Sequence, residues 1–357
     1  MGSTMMNNIR WLIPPEGLES TDFDNEIVVS SRVRLARNFS ALPFEMKMKP
    51  KDAQRLLGLV RSIIGGTDGG EFIIMKRLSL LERESLLECH LISPDFLKAD
   101  RQSGLYINDT GNLSIMINEE DHLRIQCLSY GLAFARLSTL AFEMEEKIGK
   151  EVHYAFHDQY GYVTSCPTNI GTGMRASVLL HLPGLVFTNE VEKVLKGAVQ
   201  LGMAVRGIYG EGSDIKGSMF QISNQHTLGL KEEDIMETIV KLTHMIVDIE
   251  KKARDVIFEK ARHEFEDKIF RSIAVLRSAR IISTDEVLNL LSAVRFGIGV
   301  GVIKDIKLDI VNEILLVSRP ANIQLYFNEV LEEHERDIRR ADYIRHRLGE
   351  KTANSKQ

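Results

Sequence analysis

The sequence predicts a chain that mixes strands and helices over roughly its first two-thirds and is helical thereafter. Two observations carry this. Short runs with period-two alternation recur between amphipathic helical stretches as far as Phe220-Gln221-Ile222-Ser223-Asn224. Beyond them, Ile235, Ile239, Leu242, Ile246 and Ile249 repeat at helical spacing, and the pattern persists through Val256, Phe265 and Ile269.

Composition narrows the function classes. With 357 residues, 44% hydrophobic and 27% charged, the chain has enough material for a large core and divides into two domains. A net charge of -5 gives no whole-chain sign of a nucleic-acid binder. The three cysteines, Cys89, Cys127 and Cys166, match neither a disulfide framework nor a zinc pattern. No signal-peptide architecture and no apolar run of membrane-spanning length is present, so a reduced, cytoplasmic protein is expected.

Taken in order, residues 1–25 read as a loop around Pro14-Pro15. Ile27 to Arg37 reads as a strand with Ser30, Arg32 and Arg34 on one face and Val29, Val33 and Leu35 turned inward. Two guanidinium forks side by side suit phosphate oxygens, although an exposed basic sheet face is the ordinary alternative. Leu56, Leu57, Val60 and Ile63-Ile64 predict a helix over 51–64, ended by Gly65-Gly66. A strand over Glu71–Lys76, a helix over 79–89 closed by His90, and a helix over 130–147 follow. Gly161 to Arg175 reads as a short strand entering a small-residue turn, with Cys166 set among glycines that let a ligand approach closely. Nearby arginines would lower the pKa of such a thiol. Ala176–Leu182 reads as a strand, and the glycines around Arg206 and Glu211 as a loop able to fold over a ligand. Ser283 and Glu286 have capping-box spacing ahead of Val287 and Leu288.

The stretch Asn118-Glu119-Glu120-Asp121-His122-Leu123-Arg124 concentrates the chemistry. It follows the alternating run Leu113–Ile117; if extended backbone continues, Glu119 and Asp121 share one face while Glu120, His122, Arg124 and Gln126 share the other. A carboxylate beside an imidazole and a cation suits proton transfer next to a bound anion. A solvated acidic turn between two strands is the competing reading.

Four motifs in order, SSRVR, NEEDHLR, SCPTNIGTGMR and RGIYGEGS, resemble the catalytic domain of the phosphagen (guanidino) kinases, and within that family the bacterial protein-arginine kinases. The resemblance covers roughly residues 25–250. Small-molecule members carry an extra helical N-terminal domain of about a hundred residues; here residues 1–25 alone precede the first motif. It implies an α+β fold, an antiparallel sheet flanked by helices (26–254), followed by an α-helical C-terminal domain (255–357). Arg336-Asp337-Ile338-Arg339-Arg340-Ala341 matches an RDxxRA motif that forms a phosphoarginine pocket, so Arg336, Asp337, Arg340 and Ala341 are expected to line an allosteric site; a salt-bridged surface helix is the alternative.

The resemblance further implies ATP-dependent transfer to arginine side chains of proteins. Glu120 matches the catalytic base, Glu211 a second carboxylate, and Cys166 a cysteine that contacts the guanidinium. ATP falls to Ser30, Ser31, Arg32, Val33, Arg34, His90, Arg124, Arg175, Ala176, Ser177, Val178, Leu179, Arg206, Gly207, Ile208, Tyr209, Gly210 and Glu211. Mg²⁺ comes with ATP, with Glu119 and Asp121 reaching it through water. Expected partners are proteins with exposed arginines, a zinc-binding activator protein, a Clp-type unfoldase of the stress response and further copies of the chain as a homodimer or larger assembly; nucleic acid and membrane are not expected. The rival functions are a free-arginine kinase and an inactive phosphoarginine-reading adaptor.

Overall fold

The computed structural model describes residues 24–65, 69–98, 102–207 and 217–349. Within them lies an eight-stranded sheet in the order β2-β3-β4-β5-β1-β8-β10-β9, every neighbouring pair antiparallel. Its strands are β1 (Val28–Arg37), β2 (Glu71–Ile74), β3 (Gly104–Ile107), β4 (Leu113–Ile117), β5 (Leu123–Tyr130), β8 (Met174–His181), β9 (Met203–Gly207) and β10 (Met219–Asn224). A hairpin of β6 (Phe156–His157) and β7 (Gly161–Tyr162) stands apart from it.

The alternation in β1 does what its sequence asks. Ser31, Val33 and Leu35 are buried while Ser30, Arg32 and Arg34 remain partly accessible. Val33 and Leu35 join Ile125, Cys127, Ala176 and Val178 in one apolar layer. Helices α1 (Pro50–Ile64), α4 (Phe134–Gly149) and the long α7 (Glu232–Lys260) pack against that layer through Leu56, Leu137, Ala141, Ile239 and Ile246. Between α1 and α4 come α2 (Leu80–Glu88) and α3 (Pro94–Lys98); α5 (Pro183–Phe187) and α6 (Val191–Gln200) lie between β8 and β9.

Helices α8 (Arg262–Ser278), α9 (Thr284–Gly299), α10 (Leu308–Val317), α11 (Pro320–Phe327) and α12 (Glu333–Gly349) follow. They share a second core with α2, α3 and the β2–β4 edge, where Leu86, Phe96, Leu105 and Met116 meet Ile273, Leu291, Ile314 and Ile323. Residue 254, the last of the expected catalytic region, sits inside α7, which runs unbroken to Lys260. Buried polar contacts join the parts. Arg295 donates to the carbonyls of Asn25 and Glu26 and to Asn312, and His181 Nε2 lies 2.7 Å from Ser292 Oγ. Glu88 accepts from the amides of Ala321 and Asn322 at 2.9–3.0 Å, so a carboxylate on α2 caps α11.

Several element ends shift for local reasons. The strand expected to reach Lys76 ends at Ile74 and gives way to a 3₁₀ turn, Met75–Arg77. The helix expected from 130 starts at Phe134, because Tyr130 still pairs with Ser30 in the sheet. The helix expected over 79–89 spans Leu80–Glu88, with Ser79 and Glu82 closing a reciprocal cap. The strand expected over Ala176–Leu182 spans Met174–His181. Ser283 caps α9 by accepting from Glu286 N at 3.2 Å. Residues 1–23 of the expected N-terminal loop lie outside the described residues.

Candidate active site

Register gathers the arginines. Arg32 sits opposite Leu128 and Ser177, Arg34 opposite Gln126 and Arg175, and Gln221 opposite Leu179 and Arg206. Opposed residues share a face and the period along each strand is two. Arg32, Arg34, Arg124, Arg175 and Arg206, from four strands, therefore project from one side of the sheet. It is the side away from the α1–α4–α7 layer.

Like charges set directly opposite destabilise a strand pair, and Arg34–Arg175 is such a pair. Burial pulls the Arg34 guanidinium well below its ordinary value, and Arg32, Arg124 and Arg175 add to the effect while Glu119 partly offsets it. Arg32 is pulled down to about 10 by burial and then by Arg124 and Arg175. The Nε atoms of Arg32 and Arg34 are buried without a hydrogen-bond acceptor. A polyanion would supply both the counter-charge and the acceptors, which is the chemistry of a triphosphate site.

Ser30, Arg32, His90, Ser177 and Leu179, all expected at the nucleotide, line one cavity together with Leu128 and Gln221. His90 follows α2 in a left-handed conformation (φ 59°), and its carbonyl accepts from Gln126 Nε2 at 2.7 Å. Burial, then Arg319 and Arg32, drive its imidazole down to about 3, so it is neutral at physiological pH. Gln221 was missed in the sequence; its Oε1 accepts from Arg32 Nη2 at 3.2 Å. Its place in an alternating strand was the available signal. The side chains of Ser31, Val33, Ala176 and Val178, also expected at the nucleotide, occupy the opposite, apolar face, which leaves their backbone alone to meet it; the Ser31 hydroxyl donates to Gly131 O at 2.5 Å. Gly207 ends β9, whereas Ile208, Tyr209, Gly210 and Glu211 lie outside the described residues.

The acidic stretch is not extended, so the two-face assignment of its residues is corrected. Asn118 turns left-handed (φ 60°) and its N–H donates to His122 O at 3.0 Å, making residues 118–122 the turn between β4 and β5. Each acid then has a separate environment. Glu119 is buried, accepting from Arg124 Nη1 at 2.8 Å and Ser93 Oγ at 2.5 Å. Burial alone would raise its carboxyl, but Arg124, Ser93 and the Glu120 amide outweigh that and hold it below the ordinary range. Asp121 is buried and clasps two elements, its Oδ1 accepting from Asn38 Nδ2 and from Ser165 N, both at 2.6 Å. His122 is a core residue, with Nδ1 accepting from Phe39 N at 2.9 Å and Nε2 3.0 Å from Pro43 O.

That leaves Glu120 as the exposed acid of the three, with the Cys166 thiol near enough to favour its charged form. Partial burial, followed by Asp121 and Glu119, raises its carboxyl above the ordinary value. Cys166 precedes a 3₁₀ turn (Pro167–Asn169), its Sγ 3.0 Å from Thr168 Oγ1. The loop is pinned by Thr227 Oγ1, which donates to the carbonyls of Thr168 and Ile170. Gly171 is required here: at φ 114° a Cβ would stand 2.3 Å from Thr227 O. An exposed carboxylate and a thiol thus adjoin a sheet face crowded with arginines.

A family profile described as ATP:guanido phosphotransferase, C-terminal catalytic domain, matches residues 53–253, and one described as Protein-arginine kinase McsB C-terminal domain matches 262–357. A protein-arginine kinase of Desulforamulus reducens is 42% identical over 93% of this chain and 94% of its own. One of Bacillus cereus is 43% identical over 91% and 93% respectively. The chain belongs to the protein-arginine kinases. Among solved structures, the duplicated taurocyamine kinase from Schistosoma mansoni with bound transition-state-analogue components is 27% identical, with a TM-score of 0.59, over 65% of this chain and 34% of that one. A lombricine kinase has the same fold, with a TM-score of 0.57, over 67% of this chain and 71% of its own. Membership makes this kinase an ATP-dependent phosphotransferase with the phosphagen-kinase fold and a helical C-terminal region.

In the kinase's C-terminal helix α12, Arg340 and Ala341 are buried. Arg340 pairs with Asp337 and also donates to Ser318 O at 2.6 Å and Ile282 O at 2.8 Å, tying α12 to the ends of neighbouring helices. Arg336 is half-buried and donates to Leu331 O at 3.1 Å. A salt-bridged surface helix describes Arg339, which pairs with Glu329, but not the buried Arg340.

No cluster of three metal-ligating side chains occurs among the described residues, and Glu119 and Asp121 are both engaged with protein donors.

The raised Glu120 carboxyl fixes a pH dependence. If Glu120 is the proton acceptor it must be ionised, and kcat/KM then falls as pH drops through a pKa above the ordinary 4.5. Glu120→Gln removes that acid limb. A wild-type limb at or below the ordinary value, measured with ATP saturating, assigns the proton acceptor elsewhere.

Proposed function

We propose that this kinase transfers the γ-phosphoryl group of MgATP to arginine side chains exposed on proteins. The observation that carries the reading is the Glu120–Cys166 pair at the edge of a five-arginine face. The arginines neutralise the triphosphate and hold it for in-line displacement. A guanidinium is a poor nucleophile because its pKa is above 12. Glu120 takes its proton as a guanidine nitrogen bonds to the γ-phosphorus and the bond to ADP breaks; the products are phosphoarginine and ADP. Cys166 orients the guanidinium, and by resemblance Glu211 is the second carboxylate. The experiment offers ATP with either free arginine or a folded basic protein, and phosphorylation of the protein at arginine is expected. Transfer to free arginine alone overturns the reading in favour of a small-molecule kinase.

The same reading assigns two functional units, 26–254 and 255–357, that share α7. It places the protein in the cytoplasm as a homodimer or larger assembly, with a zinc-binding activator and a Clp-type unfoldase acting downstream in stress response. These assignments rest on family similarity. No helix among the described residues is long and apolar enough to cross a membrane.

Arg336, Asp337, Arg340 and Ala341 belong in this reading to a phosphoarginine-responsive site. Arg340 is held by Asp337, so a phosphoarginine would compete for the same ion pair. Product must bind the active arrangement more tightly than the resting one to shift it. Asp337→Ala then abolishes the response of activity to added phosphoarginine while basal transfer persists. Identical responses from wild type and variant contradict the assignment.

A further inference from the structure

We propose that an exposed apolar ridge formed by Phe156, Tyr160, Leu228 and Leu230 docks the polypeptide that flanks the acceptor arginine; this deepens, and rests on, the protein-arginine reading. These side chains are 58%, 47%, 55% and 45% exposed. Single exposed apolar residues are ordinary. Here, however, the hairpin that carries Phe156 and Tyr160 is joined through Tyr162 and Gly171 to the segment that carries Leu228 and Leu230, and grouped apolar exposure marks interaction surfaces.

Tyr162 N donates to Gly171 O at 2.8 Å, and Gly171 in turn lies so close to the next segment that a Cβ on it would be 2.7 Å from Leu228 Cα. Phe156 packs edge-on against Tyr162 at 5.3 Å, with the Arg37 guanidinium 3.5 Å from the centroid of the Tyr162 ring. Tyr160 stacks on His157 at 4.8 Å. The hairpin is therefore braced from within while the Phe156 and Tyr160 side chains stay exposed. Its position relative to the acceptor site is also fixed: Asn38 joins Val163 O to Asp121, and Thr227 pins the loop that bears Cys166.

The rim is acidic. Glu232 lies within electrostatic reach of Tyr162, Glu233 and Asp234 are exposed at the start of α7, and Asp158 is exposed on the hairpin, together outnumbering the exposed Lys231 beside Leu230. Arginine-bearing segments with further basic residues complement that charge. A small guanidino compound has no flanks to lay on the ridge, so the surface has a use when the acceptor is a polypeptide.

The test compares kcat/KM, with ATP saturating, for a basic peptide carrying one arginine and for a blocked single-arginine amide. The wild type should prefer the peptide. Phe156→Ser with Leu228→Ser, and separately Glu233→Lys, should each cut that preference about tenfold, with unfolding midpoints confirming that the variants are folded. The proposal is overturned if the wild type has no preference, if the variants slow both acceptors equally, or if neither acceptor is affected. Absence of arginine phosphorylation in both acceptors is a different outcome, which sinks the kinase reading itself.

Discussion

Glu120→Gln lowers kcat by about two to four orders of magnitude, the range of a positioned general base, while ATP affinity stays close to wild type. The expectation follows from the separate environments of the three acids. Glu119 is bound to Arg124 and Ser93, and Asp121 to Asn38 and Ser165. Glu120 alone of the three is exposed, lies against Cys166 and has its carboxyl raised toward the range useful to a base. Gln keeps the size and loses the proton acceptor. Parallel loss of nucleotide binding and turnover reassigns Glu120 to the phosphate site.

Arg175→Ala costs about 2–4 kcal/mol of transition-state stabilisation, read as kcat/KM for ATP. Arg175 faces Arg34 across β8 and β1, so in the free enzyme its charge is opposed by a neighbour of the same sign. Removing it also removes that repulsion, and the unfolding midpoint should stay within a few degrees of wild type. Loss of stability in proportion to loss of activity would show that the arginine is a structural element. Unchanged kinetics would show that it does not meet phosphate.

The arginine face was legible because period-two alternation survives a regular strand. Ser30, Arg32 and Arg34 point where their spacing says, and register then fixes Arg124, Arg175 and Arg206 without further information. The acidic stretch was not legible for the complementary reason. Alternation cannot be carried through a residue with positive φ, and Asn118 ends the strand there. The competing turn reading had the geometry right but the environment wrong, since Glu119 and Asp121 are 3% exposed. Ser31, Val33, Ala176 and Val178 came from motif matching, which records proximity in sequence and not the face to which a side chain points. Arg340 is a similar case. Charge spacing on α12 reads as a surface helix, and nothing local announces that the carbonyls of Ser318 and Ile282, far away in sequence, will bury it.

The most direct test of the account is to incubate the protein with γ-labelled ATP and an arginine-rich protein, then locate the label. The account predicts label on the acceptor at arginine, lost on mild acid treatment as a phosphoramidate is, and absent with Glu120→Gln. Acid-stable label on serine, threonine or tyrosine, or label that persists in that variant, would contradict it.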